Sequence, residues 1–194
     1  LTVVESFLLD GMLGCLQVLE NMNAVIPLAT LFQLCMDSAL HISSPSVPSI
    51  RPDNPFLHSY NVYHHFRSLG WVVKNGTKFG SDYLLYKRGP VFSHAEFAVL
   101  VIPEYEYEPD AEDTPFVQHH NGGEKSWIWF SMVNRVNTQV QKTLVLAHVK
   151  IPRITAQITN ELTTPDGLVK VLRRGAFRVK EISIRRWVPA RMKP

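Results

Sequence analysis

The chain has 194 residues, 45% hydrophobic and 19% charged, which is enough to bury a real core and to hold one full domain plus a smaller piece. That composition excludes a disordered chain, and no run approaches the ~20 apolar residues a membrane-spanning helix needs. No signal peptide with a basic start and a small-residue cleavage site is visible, and a chain that begins at Leu1 without a methionine reads as an excised fragment. Net charge is +3 but lopsided: residues 104–113 (EYEYEPDAED) are acidic, whereas residues 170–194 hold nine Lys/Arg and one acid. An anionic partner would feel that local basic field.

Residues 3–36 predict two helices with a wide apolar face, broken near Asn23 and Pro27. Cys15 and Cys35 fall in these apolar stretches, so both are expected to be buried thiols in a reducing compartment. The Ser/Pro-rich HISSPSVPSIRPDNP that follows reads as a linker, which divides the chain into a helical segment at 1–53 and a main domain at 54–194. A third helix fits PFLHSYNVYHHFRSLG, with Asn54 as N-cap, Pro55 in the first turn and Gly70 as its stop.

The apolar period then drops toward two. Strands are expected at 71–74, 82–87 and 96–102, with Gly76 and Gly80 marking the turns between the first pair. Lys78 and Asp82 in GTKFGSD look like turn and hairpin determinants. The acidic stretch and QHHNGGEK form a loop, read as solvated surface in preference to a partner contact. Trp129, Val133, Val136 and Val140 recur at helical spacing and lead to the strand KTLVLAHV; a last strand covers roughly 177–188. The sum is an α/β fold, a mixed central sheet flanked by helices and preceded by a small helical segment.

Tyr86, His94 and Lys142 stand where elements end, which is where a scaffold can offer groups to a ligand. Each alone is unremarkable, as packing, surface and solvated cation respectively. Together they supply the base, acid and fixed cation that RNA cleavage needs when it proceeds without a metal or other cofactor. The adjacent pairs His64–His65 and His119–His120 lack the i, i+4 spacing of a helical zinc site, so no metal is expected.

The stretch YHHFRSLGWVVKNGTKFGSDYLLYKRGPVFSHAEFAVLV (63–101) resembles the catalytic domain of the tRNA-splicing endonuclease family: an arginine-and-glycine helix end, a G-x-K-F/Y-G-x-D turn, a tyrosine, then a histidine before an apolar strand. The similarity continues through NRVNTQVQKTLVLAHV (134–149) and IRRWVPAR (184–191). ESFLLDGMLGCLQVLE looks like the helical segment before that domain, and YKRGPVFSHAEF looks like the subunit that cuts the 5′ splice site. The resemblance implies a restriction-endonuclease-like fold in which Tyr86 is general base, His94 general acid and Lys142 the transition-state stabiliser. Products would carry a 2′,3′-cyclic phosphate and a 5′-hydroxyl. A phenol is a weak base near neutrality, so a cation must stand near Tyr86, and Lys142 is the candidate.

The resemblance also implies that Arg135 and Trp187 hold a flipped nucleotide of pre-tRNA; strand alternation groups Trp187 with Val179, Glu181, Ser183 and Arg185, opposite Ile182, Ile184 and Val188. Arg185 and Arg186 belong to a basic tail suited either to phosphate contacts or to an acidic loop of a partner. The implied partners are pre-tRNA, a second catalytic subunit and two structural subunits in a heterotetramer. The implied location is the nucleus or, alternatively, the cytoplasmic face of an organelle membrane. The competing class is a non-catalytic RNA-binding or scaffolding subunit of the same assembly, from which the complete Tyr86, His94, Lys142 set would distinguish it.

Overall fold

In the computed structural model, the described residues are 2–20, 24–38, 50–108, 110, 114, 116 and 126–185. They fall into two compact units, each drawn from three stretches of chain: residues 1–65, 103–123 and 149–179 for unit 1, and residues 66–102, 124–148 and 180–194 for unit 2.

Unit 1 begins at a capping box. The Thr2 hydroxyl accepts from the Glu5 amide while the Glu5 carboxylate accepts from the Thr2 amide, and helix α1 (Val3–Phe7) follows. A π-helical turn at Leu8–Met12 ends it, so the first expected helix is much shorter than its apolar pattern suggested. Strands β1 (Leu19–Glu20) and β2 (Ala24–Val25) make a small antiparallel hairpin. Helix α2 (Leu28–Ser38) starts just after Pro27, as expected; Asn23 and residues 41–49 of the expected linker lie outside the described residues.

The third expected helix is α3 (Pro55–Ser68). Asn54 serves two helices at once: its Oδ1 accepts from the Phe56 amide at 2.8 Å, and its Nδ2 donates to the Met36 carbonyl at 3.1 Å. Phe7 lies 5.6 Å from Phe32, 5.7 Å from Phe56 and 5.2 Å from Tyr60, ring to ring, so α1, α2 and α3 share one aromatic cluster. Such pairs contribute roughly 0.5–1.5 kcal/mol each beyond their buried area.

Two short helices have no counterpart in the sequence reading: α5 (Ala156–Glu161), capped by Thr155, and α6 (Pro165–Arg173), capped by Thr164. A Cβ on Gly167 would stand 1.6 Å from the Glu161 carbonyl oxygen, so only glycine lets α5 and α6 meet this closely. The acidic stretch is partly tied down within this unit. Glu106 pairs with Lys150 at 3.5 Å, Asp110 Oδ2 accepts from the Ile154 amide, and Arg153 lies over the Tyr107 ring. Residues 118–125 are not among those described.

Five strands form one sheet in the order β3-β4-β5-β6-β7: β3 (Val72–Asn75), β4 (Tyr83–Tyr86), β5 (Phe97–Tyr105), β6 (Thr143–Ile151) and β7 (Arg178–Ile184). The first three are antiparallel neighbours, with Val72 opposite Tyr86 and Leu85 opposite Phe97. β5 and β6 run parallel: Thr143 donates to Glu96 at their starts and Glu106 to Ile151 at their ends. Parallel neighbours need a crossover, and helix α4 (Trp127–Gln139) lies on that connection. The mixed sheet with helices is the architecture the sequence implied.

Alternation sorts the strands of unit 2 into two faces. Leu84, Ala98, Leu100 and Leu144 pack with Val133, Trp129 and Phe130 of α4 on one side. Phe66, Trp71, Leu85, Phe97 and Val145 line the other, together with Glu181 and Ser183. β7 therefore alternates as expected at Glu181, Ser183 and Ile184; residues 186–188 of the expected strand lie outside the described residues.

Of the two cysteines, both expected to be buried, only Cys15 differs from expectation. Cys35 is buried, and burial pushes its thiol up to about 12, whereas Cys15 is exposed with only a 3.5 Å contact to the Leu9 carbonyl. The α1 pattern that suggested burial for Cys15 ends at Met12, before the cysteine is reached. The thiolate is the reactive form, so burial makes Cys35 the slower of the two to react. Iodoacetamide should therefore alkylate Cys15 in the native chain and Cys35 only after denaturation. Equal labelling rates by mass spectrometry would mean that the α2 packing opens freely.

Candidate active site

Glu96 is the residue through which three segments meet. Its amide donates to the Leu85 carbonyl at 3.0 Å and its carbonyl accepts from the Thr143 amide at 3.0 Å. The end of β4, the approach to β5 and the start of β6 are thereby held side by side, one residue from Tyr86, two from His94 and one from Lys142. Neighbouring strands lie about 4.8 Å apart, so the Tyr86 and Lys142 backbones are separated by about 10 Å, within reach of two long side chains.

Tyr86 closes β4, half-buried against the Leu84 and Ala98 cluster on the α4 face of the sheet. Lys142 falls on the same alternation as Leu144 and Leu146, which pack on that face too. Its ammonium stands 4.6 Å from the centre of the Phe79 ring and 3.5 Å from the Val140 carbonyl oxygen. His94 is exposed on the loop between β4 and β5, directly before buried Ala95. The loop is shaped by Gly89 at φ 104°, whose carbonyl accepts from the Phe92 and Ser93 amides, and by a 3.1 Å ion pair between Lys87 and Glu96.

The approach to Lys142 is set by how α4 ends. Gln141 donates to the Thr138 carbonyl and Lys142 to the Asn137 carbonyl, the paired bonds of a Schellman motif. The residue that must then be left-handed is Gln141, at φ 58°, where glycine is usual. Asn137, fully buried, donates from Nδ2 to the carbonyls of both Val133 and Phe79. It joins the helix to the Thr77–Phe79 turn.

Of the expected α4 stripe, Trp129 and Val133 pack inward, but Val136 and Val140 are 42% and 40% exposed. The buried position after Val133 is Asn137, a polar residue that the apolar pattern passed over. Phe79 and Asn137 are thus the two site neighbours missed by sequence reasoning, and an amide four residues along from a buried valine was the available signal.

Arg135 is exposed and lines a cavity of about 510 Å³ on α4 with Trp127, Phe130, Ser131, Asn134 and Gln139. Trp127 is 82% exposed there and meets Phe130 edge-on at 5.8 Å. Arg185 is exposed just after β7. Arg186 and Trp187 lie outside the described residues. Asp82, expected to act locally, reaches instead across to β5, where its Oδ2 accepts from the Val101 amide at 2.7 Å.

Tyr86, His94 and Lys142 thus lie toward one end of the sheet of an α/β domain. Residues 56–155 match the family described as "tRNA intron endonuclease, catalytic C-terminal domain", and the chain belongs to that family. It is similar to the probable tRNA-splicing endonuclease subunit sen2 of Schizosaccharomyces pombe, 37% identical over 205 residues that cover 98% of this chain and 50% of that protein. It is also similar to the tRNA-splicing endonuclease subunit SEN2 of Saccharomyces cerevisiae, at 39% over 70% of this chain and 31% of that protein. The Sen2 subunit of Mus musculus is 30% identical over 98% of this chain and 35% of its own length. The chain therefore spans half or less of these relatives.

The strained turn before Lys142 is open to a direct test. Gln141→Gly removes the left-handed penalty and should raise the unfolding free energy by roughly 1 kcal/mol. Gln141→Val should lower it. Urea denaturation midpoints check both signs, and a destabilising glycine would contradict the backbone geometry.

Proposed function

We propose that this chain is the catalytic subunit of a tRNA-splicing endonuclease and cuts pre-tRNA at the 5′ splice site. The observation that carries the reading is that Tyr86, His94 and Lys142 end on three neighbouring segments held together by the Glu96 hydrogen bonds, in a chain of the tRNA intron endonuclease family. The relatives are described as subunits, which supports a working enzyme that is an assembly. In this reading the assembly holds a second catalytic subunit and two structural ones, as the family resemblance implies.

The reaction these groups support is an internal transesterification. Tyr86, as phenolate, takes the proton of the ribose 2′-hydroxyl; the 2′-oxygen attacks phosphorus, and the bond to the 5′-oxygen breaks. Imidazolium at His94 gives its proton to that leaving oxygen, and the Lys142 ammonium offsets the charge gathering on the non-bridging oxygens. One strand then ends in a 2′,3′-cyclic phosphate and the other in a 5′-hydroxyl. Exposed Arg185 suits phosphate contacts, which make affinity salt-dependent without selecting sequence, and exposed Arg135 would hold a flipped nucleotide together with Trp187. Arg186 and Trp187 complete the proposed RNA-binding set.

His94→Ala in the assembled enzyme should slow single-turnover cleavage at the 5′ site by about 100-fold to 10,000-fold while pre-tRNA affinity stays nearly constant. EDTA should leave the wild-type rate unchanged, and end analysis should find the cyclic phosphate. Parallel loss of binding and cleavage would make His94 structural, and unimpaired cleavage would favour the scaffolding alternative.

A further inference from the structure

A lysine that must meet developing charge at one point is badly served by a free side chain, because its four-carbon stem has many rotamers. Here the stem is not free. The Lys142 ammonium lies 4.6 Å from the Phe79 ring centre, within cation–π range, and the Val140 carbonyl at the negative end of α4 attracts it from a second side.

Phe79 is in turn fixed from two directions. Its ring packs against the Leu84, Ala98 and Leu144 cluster, the same cluster that holds Tyr86. Its carbonyl accepts from Asn137 Nδ2 at 3.1 Å, while the Asn137 carbonyl accepts from the Lys142 amide at 2.9 Å. Both neighbours of the Asn137 amide group are carbonyl oxygens, so only its NH₂ end can face them. Oδ1 is left buried with no hydrogen-bond partner among the described residues. A buried acceptor left open is costly, and it is retained where the two donor bonds tie the Phe79 turn to the Lys142 turn.

We infer that Phe79 is a positioning residue for the cleavage reaction: its ring is the platform that holds the Lys142 ammonium beside Tyr86, and Asn137 locks platform and lysine into one frame. The inference rests on the cleavage role proposed for Lys142. Phe79 touches no reacting atom and acts through the lysine alone.

The test is single-turnover cleavage of pre-tRNA by the assembled endonuclease. Phe79→Leu should slow cleavage by about threefold to thirtyfold at unchanged RNA affinity, and Phe79→Tyr should restore most of the rate. Because leucine also alters packing, a series of increasingly fluorinated phenylalanines at position 79 keeps the shape and drains the ring's negative face; the logarithm of the rate should fall stepwise along it. In a Lys142→Ala background, Phe79→Leu should add no further loss, since coupled residues are not additive. A flat fluorination series, or full additivity with Lys142→Ala, beside a Lys142→Ala enzyme that cuts measurably but more slowly than wild type, overturns this inference alone. A Lys142→Ala enzyme that cuts at the wild-type rate overturns the cleavage reading, and this inference with it.

Discussion

Glu96 gives its amide to β4 and its carbonyl to β6, and the direction of the second bond fixes where Lys142 stands. Since β6 runs parallel to β5, its first residue lies beside the first residues of β5, and Lys142 arrives at the end of the sheet where β4 stops. An antiparallel β6 would start at the far end of a nine-residue strand. Lys142 would then stand about 30 Å from Tyr86. A mixed sheet is therefore a requirement of the proposed site, and α4, the helix on the crossover, is what a parallel neighbour demands.

That helix does more than span the gap. Its C-terminal turn delivers Lys142 through a left-handed glutamine, and strained backbone of this kind persists only where the surroundings over-determine it. The surroundings here are Asn137 and the Phe79 turn. A buried amide between two carbonyls is a less stabilising choice than a packed leucine, but it is directional, so it specifies one register of helix against turn. The polar interruption of an apolar stripe and the strain beside it have the same consequence, a defined position for one ammonium group.

How far this was legible in the sequence depends on whether a local rule governed the element. Asn54, Pro55 and Gly70 marked α3 to within two residues, because caps and stops act on their own turn. β4 and β5, expected at 82–87 and 96–102 on either side of the KRGP turn, lie at Tyr83–Tyr86 and Phe97–Tyr105. The three candidate groups were visible by position and by family resemblance. The first helix failed because its apolar run passes unbroken through Gly11 and Gly14, where the chain turns into a π-helical end. α5 and α6 went unread although Thr155 and Thr164-Pro165 are ordinary helix starts, because the helices are too short for periodicity to register. Val136 and Val140 were misjudged for a different reason: on this helix the inward face turns to Asn137, and only the tertiary partner, the Phe79 carbonyl, reveals why.

The assembly of the site follows from sequence separation. The β4–β5 hairpin needs only its ten-residue loop, so Tyr86 and His94 are brought near each other by a local event. Lys142 joins them only when the crossover carrying α4 has closed and β6 has paired, a non-local step whose loop entropy is met before its contacts form. Phe79 sits on the local side of that division and Asn137 on the late side, so the bond between them forms as the last group arrives. A partly folded chain can thus hold Tyr86 and His94 on one hairpin without Lys142, and all three stand at one end of the sheet only when the sheet is fully paired.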